Sequence, residues 1–277
     1  MTAKISIIMP CYNQAQYIDE AILSVIQQTY KDWELIIVDD GSTDDSYSIM
    51  FRHSQQDTRI CCHRQENGGP SKARNKGAAI ASGKYLLFFD SDDIILPTFL
   101  EEGVRYMEDN DDCTVFYPRV RYFGSRNDEE KLKFTTYKDM LCKASVLCTS
   151  IIRKSDFDRI GGFDESMRGY EDWEMYIRLL YKNDIVHQSS DILFNYRMHR
   201  HDSSVNLQAI RRSKEIMEYI YNKNRAIYDE YFGCPVHSIQ QANYLQQEMD
   251  KLLTSRKYRI GSFIANPWSM IKKWIKG

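Results

Sequence analysis

Four times in the first hundred residues an apolar run of strand character is followed by a segment with helical spacing. No other feature of the chain constrains its fold as tightly. Lys4–Met9 (KISIIM), Trp33–Val38 (WELIIV), Ile60–Arg64 and Lys84–Phe89 (KYLLFF) read as strands. Tyr17–Gln28, with apolar Ile18, Ala21, Ile22, Val25 and Ile26, is spaced as a helix. Asp44–His53, behind Ser42 or Thr43 as N-cap, and Lys72–Ala81 predict two more, and Pro97 opens a fourth at a position that proline tolerates. Such a repeat specifies an α/β protein with a mostly parallel, doubly wound sheet flanked by helices.

In open sheets of this kind ligands collect at the carboxyl ends of the strands. Here those ends carry Pro10–Asn13 (read as the turn closing strand one), Asp39–Ser42, and Asp90-Ser91-Asp92-Asp93, three carboxylates in four residues. Strands about 4.8 Å apart bring these groups within reach of one nucleotide. Hard oxygen ligands in a cluster suit Mg²⁺ or Mn²⁺ holding a phosphate-bearing substrate. Taken singly, the same residues also describe a solvated acidic turn, a helix cap and a generic loop. Asn67-Gly68-Gly69-Pro70-Ser71 opens the third helix, and Gly68 and Gly69 let backbone approach a ligand. Lys72 and Arg74 lie in that helix's first turn, where the dipole does not favour cations, which points to a diphosphate partner.

Composition narrows the function classes. The chain has 277 residues, 43% hydrophobic and 13% aromatic, enough for one large domain or a domain with an appendage. A net charge of −2 provides no basic field for nucleic acid. Seven cysteines without regular spacing, several in or beside strands, suit a reduced, cytoplasmic chain. No apolar stretch approaches the ~20 residues that a spanning helix needs, and the chain enters a strand at once, without a signal peptide. Neither G-x-G-x-x-G nor a P-loop pattern is present.

The run PCYNQAQYIDEAILSVIQQTYKDWELIIVDDGSTDDS, followed by NGGPSKARNKG and YLLFFDSDD, resembles the family 2 glycosyltransferases of the GT-A fold, over about residues 4–200. The resemblance implies that Asp40 reads uracil or an equivalent base and that Pro10 and Tyr12 line the nucleotide pocket. It implies that Asp92 is the metal ligand for Mn²⁺ or Mg²⁺, with Asp90 nearby on the ribose or the metal. Lys72 and Arg74 fall where a basic residue faces the nucleotide. Asn13, Asp39, Gly68 and Ser91, from the same strand-end clusters, complete the expected donor set.

Further on, Thr114–Tyr117, Val120–Phe123 and Val146–Ile152 read as strands, Ser125–Lys133 as a mobile solvated loop, and Ser155–Arg159 as a short helix. Gly169-Tyr170-Glu171-Asp172-Trp173-Glu174 starts a helix and by spacing alone is an ordinary acidic first turn. The resemblance makes Asp172 the catalytic base, with Glu171 as the fallback. Ile192–Met198 reads as a strand, and Tyr196, Arg197 and His199 resemble the family's Y-R-x-H-x-x-S segment with a shifted Ser. That places Arg197 or His199 on the diphosphate or the metal, ahead of His201.

The organisation expected is a catalytic domain over 1–204, split into a nucleotide-binding half (1–110) and an acceptor half (111–204). A helical region with an amphipathic tail follows over 205–277, and its two helices, Leu207–Tyr231 and Ile239–Leu253, pack on the domain or on a second subunit as a homodimer. In 266–276, Trp268, Ile271 and Ile275 form one face while Lys272, Lys273 and Lys276 lie toward the other. That pattern suits either an interfacial helix on an anionic leaflet or a terminal helix docked on its own domain. Similar tails in relatives that use lipid-linked acceptors favour the membrane. The resulting expectation is an inverting, metal-dependent glycosyltransferase acting on a nucleotide-diphosphate donor, UDP-linked, and a glycan or lipid-linked acceptor at the cytoplasmic face. Nucleotidyltransferase and inactive sugar-nucleotide-binding scaffold are the rival readings.

Overall fold

The computed structural model describes residues 3–199 and 213–233, together with 244, 247 and 248. The chain divides into two compact units, Met1–Asn224 and Arg225–Gly277. The first half of unit one alternates as its sequence predicts: β1 (Ile5–Cys11), α1 (Ile18–Ile26), β2 (Trp33–Asp39), α2 (Ser46–Gln56), β3 (Ile60–Arg64), α3 (Pro70–Ile80), β4 (Tyr85–Phe88) and the two-residue β5 (Ile94–Ile95). Then come α4 (Phe99–Asp109), β6 (Val115–Gly124), α5 (Tyr137–Cys142), β7 (Ile151–Arg153), α6 (Lys154–Arg159), α7 (Glu171–Leu179), β8 (Val186–Met198) and α8 (Ser213–Lys223). Unit two contributes α9 (Arg225–Phe232).

One eight-stranded sheet runs in the order β3-β2-β1-β4-β7-β6-β8-β5. β1, β2, β3 and β4 are mutually parallel, in keeping with helical crossovers between them. Direction reverses at β7, which pairs antiparallel with both β4 and β6, and β8 runs parallel to β6. β1 is buried along its whole length, and β4 likewise, because helices cover both faces. α1 presents Ile18, Ala21, Ile22 and Val25 to this core, and α4 presents Phe99, Leu100, Val104 and Met107. α3 lies tight on the sheet at Gly77, where a Cβ would stand 2.5 Å from Ile8 Cγ2. A side chain there would force helix and sheet apart.

Several local expectations are corrected. β1 runs through Pro10 and Cys11, so the turn that closes it begins at Tyr12 and Asn13, the latter at φ 53°. α2 starts at Ser46 with no side-chain cap bond, because the Ser42 hydroxyl accepts from Asn13 N instead. The predicted runs 114–117 and 120–123 are one strand, β6, with register shifts around Pro118, which has no N–H to give the ladder. Of Val146–Ile152 only the end is strand. Ser125–Lys133 is tethered, not free: Arg119 pairs with Glu129, and Arg121 bridges to Glu129. The helix expected over 207–231 breaks at Asn224, whose side chain turns back onto Glu174 and the Ile220 carbonyl. α8 is fastened within unit one by Lys223, paired with Asp164 at 2.5 Å and Glu174 at 3.1 Å. In unit two, α9 carries an Arg225–Asp229 ion pair and stacked Tyr228 and Phe232 rings. His201, the shifted Ser, most of 239–253 and the 266–276 tail lie outside the described residues. Among the described residues no helix is long and apolar enough to cross a membrane.

Candidate active site

The carboxyl ends of β1, β2 and β3 finish level, with Cys11 opposite Asp39 and Asp39 opposite Arg64. Two short cross-links join the loops that leave them. Asn13 N donates to Ser42 Oγ at 3.0 Å, and Thr43 N donates to Asn13 Oδ1 at 2.8 Å. Asp39 is buried, takes the Ser42 N–H, and pairs with Arg64 Nε at 3.0 Å. Asn13 and Asp39 thus brace the loops at this edge of the sheet, and Tyr12 beside them is 48% exposed. Pro10 is a buried strand residue beneath.

Asp40 is 3% exposed, and both its oxygens are engaged by the loop after β3. Oδ1 accepts from Gln65 Nε2 at 2.7 Å and Gly68 N at 2.8 Å, and Oδ2 accepts from Gly69 N at 2.7 Å. A carboxylate has about four acceptor sites, so about one remains for a ligand N–H. Gly69 sits at φ 90°, a conformation L-residues avoid, and a Cβ there would lie 2.9 Å from Arg168 Cζ. Arg168 itself donates to the Gly68 carbonyl at 3.1 Å. Lys72 is exposed and folds over Gly68.

The acidic turn after β4 divides its carboxylates among three partners. Asp90 Oδ1 accepts from Arg74 Nη2 at 2.7 Å, and Asp92 Oδ2 meets His199 Nε2 at 2.8 Å. Asp93 is buried and accepts from Arg197 N at 2.7 Å. Ser91 is buried between them. Burial raises the Asp92 carboxyl, the neighbouring Asp90 charge adds to this, and His199 opposes it. Burial, with Asp92 and Asp90 beside it, holds Asp93 well above the carboxylate range. The turn is therefore short of positive charge. Among the described residues no three His, Cys, Asp or Glu side chains form a metal cage by themselves. Asp92 with His199 nevertheless fits a hard divalent ion of the kind that is held by one or two protein ligands together with substrate phosphates.

The third group comes from the far half of the sheet. Tyr170, at φ 58°, turns the chain into α7, whose first turn carries Glu171 and Asp172. Trp173 Nε1 donates to the Met140 carbonyl at 2.7 Å and fixes the helix start. Glu171 accepts from Arg74 Nη1 and from Gly169 N, each at 3.0 Å. Asp172 is half-buried, and its Oδ1 accepts from Trp173 N at 2.8 Å. Burial pushes its carboxyl up to about 6, Glu171 and Asp90 reinforce the shift, and Arg74 and the Trp173 N–H oppose it. A carboxylate near neutrality with an uncommitted oxygen is suited to take a proton.

Two of the basic residues expected at the nucleotide are paired with acidic side chains. Arg74 is buried between Asp90 and Glu171. Arg197 donates from Nε to the Asp92 carbonyl at 2.6 Å and from Nη2 to Glu20 at 2.5 Å, sandwiched by the Tyr17 and Phe123 rings. Glu171 is committed to Arg74. Residues near the site that the expected donor, metal and catalytic set left out are Asp93, Gln65, Arg168 and Cys148. Asp93 was visible as the last of D-S-D-D, whereas the others carry no local pattern. Cys148 lies among Arg74, Asp90, Glu171 and Asp172, and burial holds its thiol well above the usual range.

A parallel block carrying carboxylates at its strand ends, extended by antiparallel strands that deliver a second acidic centre, is the GT-A architecture. The chain belongs to glycosyl transferase family 2, whose family model matches residues 6–172. An uncharacterized glycosyltransferase of Methanocaldococcus jannaschii is 33% identical over 224 residues, covering 76% of this chain and 75% of that protein. A putative teichuronic acid biosynthesis glycosyltransferase, TuaG, of Bacillus subtilis is 30% identical, covering 73% and 82%. An uncharacterized glycosyltransferase of Rickettsia typhi is 32% identical, and this chain spans 64% of its length. The crystal structure of S. aureus TarS 1–349 in complex with UDP superposes with a TM-score of 0.63 at 20% identity, covering 86% of this chain and 78% of that one. At that identity the likeness is one of fold.

Proposed function

We propose that the protein is an inverting glycosyltransferase that moves a sugar from a UDP-linked donor to a glycan or lipid-linked acceptor in cell-surface polysaccharide synthesis. The observation that carries this is Asp172, a half-buried carboxylate raised to about 6 at the head of α7, whose neighbour Glu171 is tied through Arg74 to the acidic turn. The TuaG relative and the UDP and UDP-GlcNAc complexes of TarS support the acceptor class and the donor nucleotide by analogy.

Asp40 offers its remaining acceptor site to the base N–H, with Tyr12 over the ring. Asp92 and His199 would hold Mn²⁺ or Mg²⁺, which when bound neutralises the donor diphosphate as it leaves. Lys72, on its flexible stem, adds a cation beside Gly68. Asp172 takes the proton of the acceptor hydroxyl as that oxygen bonds to the anomeric carbon from the face opposite the diphosphate. The bond from that carbon to the diphosphate oxygen breaks, which inverts the centre. Such a base contributes roughly 10²–10⁴ in rate. Peripheral attachment at the inner face of the membrane through 266–276, and a homodimer, belong to the same proposal.

Calorimetric titration of UDP, GDP and dTDP with and without Mn²⁺ tests the donor half of this reading. Metal-dependent binding of UDP alone is expected. A folded protein that binds none of them is a scaffold instead. Asp172→Asn should keep UDP affinity and lose transfer, and wild-type turnover in that variant removes Asp172 as the base.

A further inference from the structure

The resemblance assigns Arg74 to the nucleotide, but its surroundings point elsewhere. The residue is 5% exposed, at the third position past Ser71 in the first turns of α3. One end of its guanidinium donates to Asp90 at 2.7 Å and the other to Glu171 at 3.0 Å, and its face lies 5.5 Å from the centre of the Phe163 ring. Asp90 follows β4 in the parallel half of the fold, and Glu171 heads α7 in the second half of the chain. Asn75, the next residue on α3, grips the same far segment, taking the Phe163 N–H and donating to the Phe163 carbonyl, each at 2.9 Å. Glu171 in turn accepts the Gly169 N–H just before α7. α3 is thus the element on which the approach to α7 is hung, and a planar fork with fixed N–H directions sets the mutual geometry of two carboxylates more tightly than a flexible ammonium does.

We propose that Arg74 is a positioning residue that locks the acidic turn after β4 to the first turn of α7, and so sets the place and charge of the Asp172 carboxylate relative to the donor site. This rests on the reading of Asp172 as the base. The charges of Glu171 on its own helix and Asp90 on the β4 turn raise the Asp172 carboxyl, Arg74 of α3 opposes them, and Tyr176 and Cys148 belong to the same electrostatic cluster. Arg74 is the one cation in that group, so its removal and the removal of Glu171 must act on Asp172 in opposite directions. Removing an arginine that served the diphosphate would weaken nucleotide binding.

The test is the titration of the Asp172 carboxyl itself, followed by ¹³C NMR in the full chain labelled at aspartate, with the resonance assigned by its loss in Asp172→Asn. The wild-type midpoint is expected near 6. In Arg74→Gln it should rise by about one pH unit, and in Glu171→Gln it should fall by a similar amount. UDP affinity measured with Mn²⁺ should stay within about threefold in Arg74→Gln, well short of the tenfold that a 1.4 kcal/mol phosphate contact represents. A midpoint that does not move, with UDP binding weakened tenfold or more, overturns the proposal. If Arg74→Gln fails to fold, as judged by near-UV circular dichroism, Glu171→Gln alone decides, because a midpoint that stays or rises there is equally fatal. Transfer activity is not needed for these readouts. A wild-type turnover rate in Asp172→Asn would sink the base assignment, a separate result from an immobile Asp172 midpoint.

Discussion

Replacing Asp172 by Asn should make the protein more stable at neutral pH while abolishing transfer. The Asp172 carboxyl is raised from its ordinary 3.8 to about 6 because burial and the charges of Glu171 and Asp90 disfavour its ionised form. A group raised in the folded state binds its proton more tightly there. Its contribution to stability is full below about pH 4, where both states are protonated, and is lost as pH rises through about 6. A rise from 3.8 to about 6, at 1.36 kcal/mol per pH unit, corresponds to about 3 kcal/mol by pH 7. Solvent at this half-buried site reduces the expectation to about 1–3 kcal/mol. Asn carries no charge to desolvate and keeps an oxygen for the Trp173 N–H, which Asp172 accepts at 2.8 Å. Urea unfolding at intervals from pH 4 to pH 8 measures the effect. The variant's advantage should be near zero at pH 4, grow between pH 4 and 6, and level off above pH 7. An Asn variant that is less stable at pH 7, or a difference that is flat with pH, refutes the reasoning.

Two further outcomes follow from the donor side. Asp92→Ala should abolish the Mn²⁺-dependent part of UDP binding in calorimetry while leaving the fold intact, since removing a carboxylate from a turn crowded with negative charge relieves repulsion. Gly69→Ala should cost about 1–2 kcal/mol in unfolding experiments, from a φ of 90° alone, and should weaken UDP binding because Arg168 is displaced. A Gly69→Ala protein with wild-type stability would mean that the loop has another conformation open to it.

The parallel half of the fold was legible because it is written in local terms. Runs such as ISIIM and LIIV are rich in β-branched, apolar residues, and the segments between them keep helical spacing, so period and burial agree. The strand-end clusters were legible for the same reason, since topology alone brings them to one edge. The second half was read less well. β6 looked like two strands because Pro118 interrupts its pattern, and β5 is too short to show a period. The partners of the basic residues were the least legible. A sequence displays the charge of Arg74 and Arg197 but not their partners, which lie 16 and 97 residues from Arg74 and 177 residues from Arg197. Composition marks a cation as available, and only the fold reveals that it is already matched.

The bonds from Asp40 to Gln65, Gly68 and Gly69 have a consequence for how such a protein can change. The side chain proposed to read the base also holds up the loop beside it. A substitution at position 40 that suits another nucleotide first strips two backbone N–H groups and an amide of their acceptor, at about 1–3 kcal/mol for each one left buried. Drift toward a new donor is therefore filtered by folding before selectivity is ever sampled. Any laboratory route to a different nucleotide would have to rebuild residues 65–69 together with Asp40, as a single inherited block.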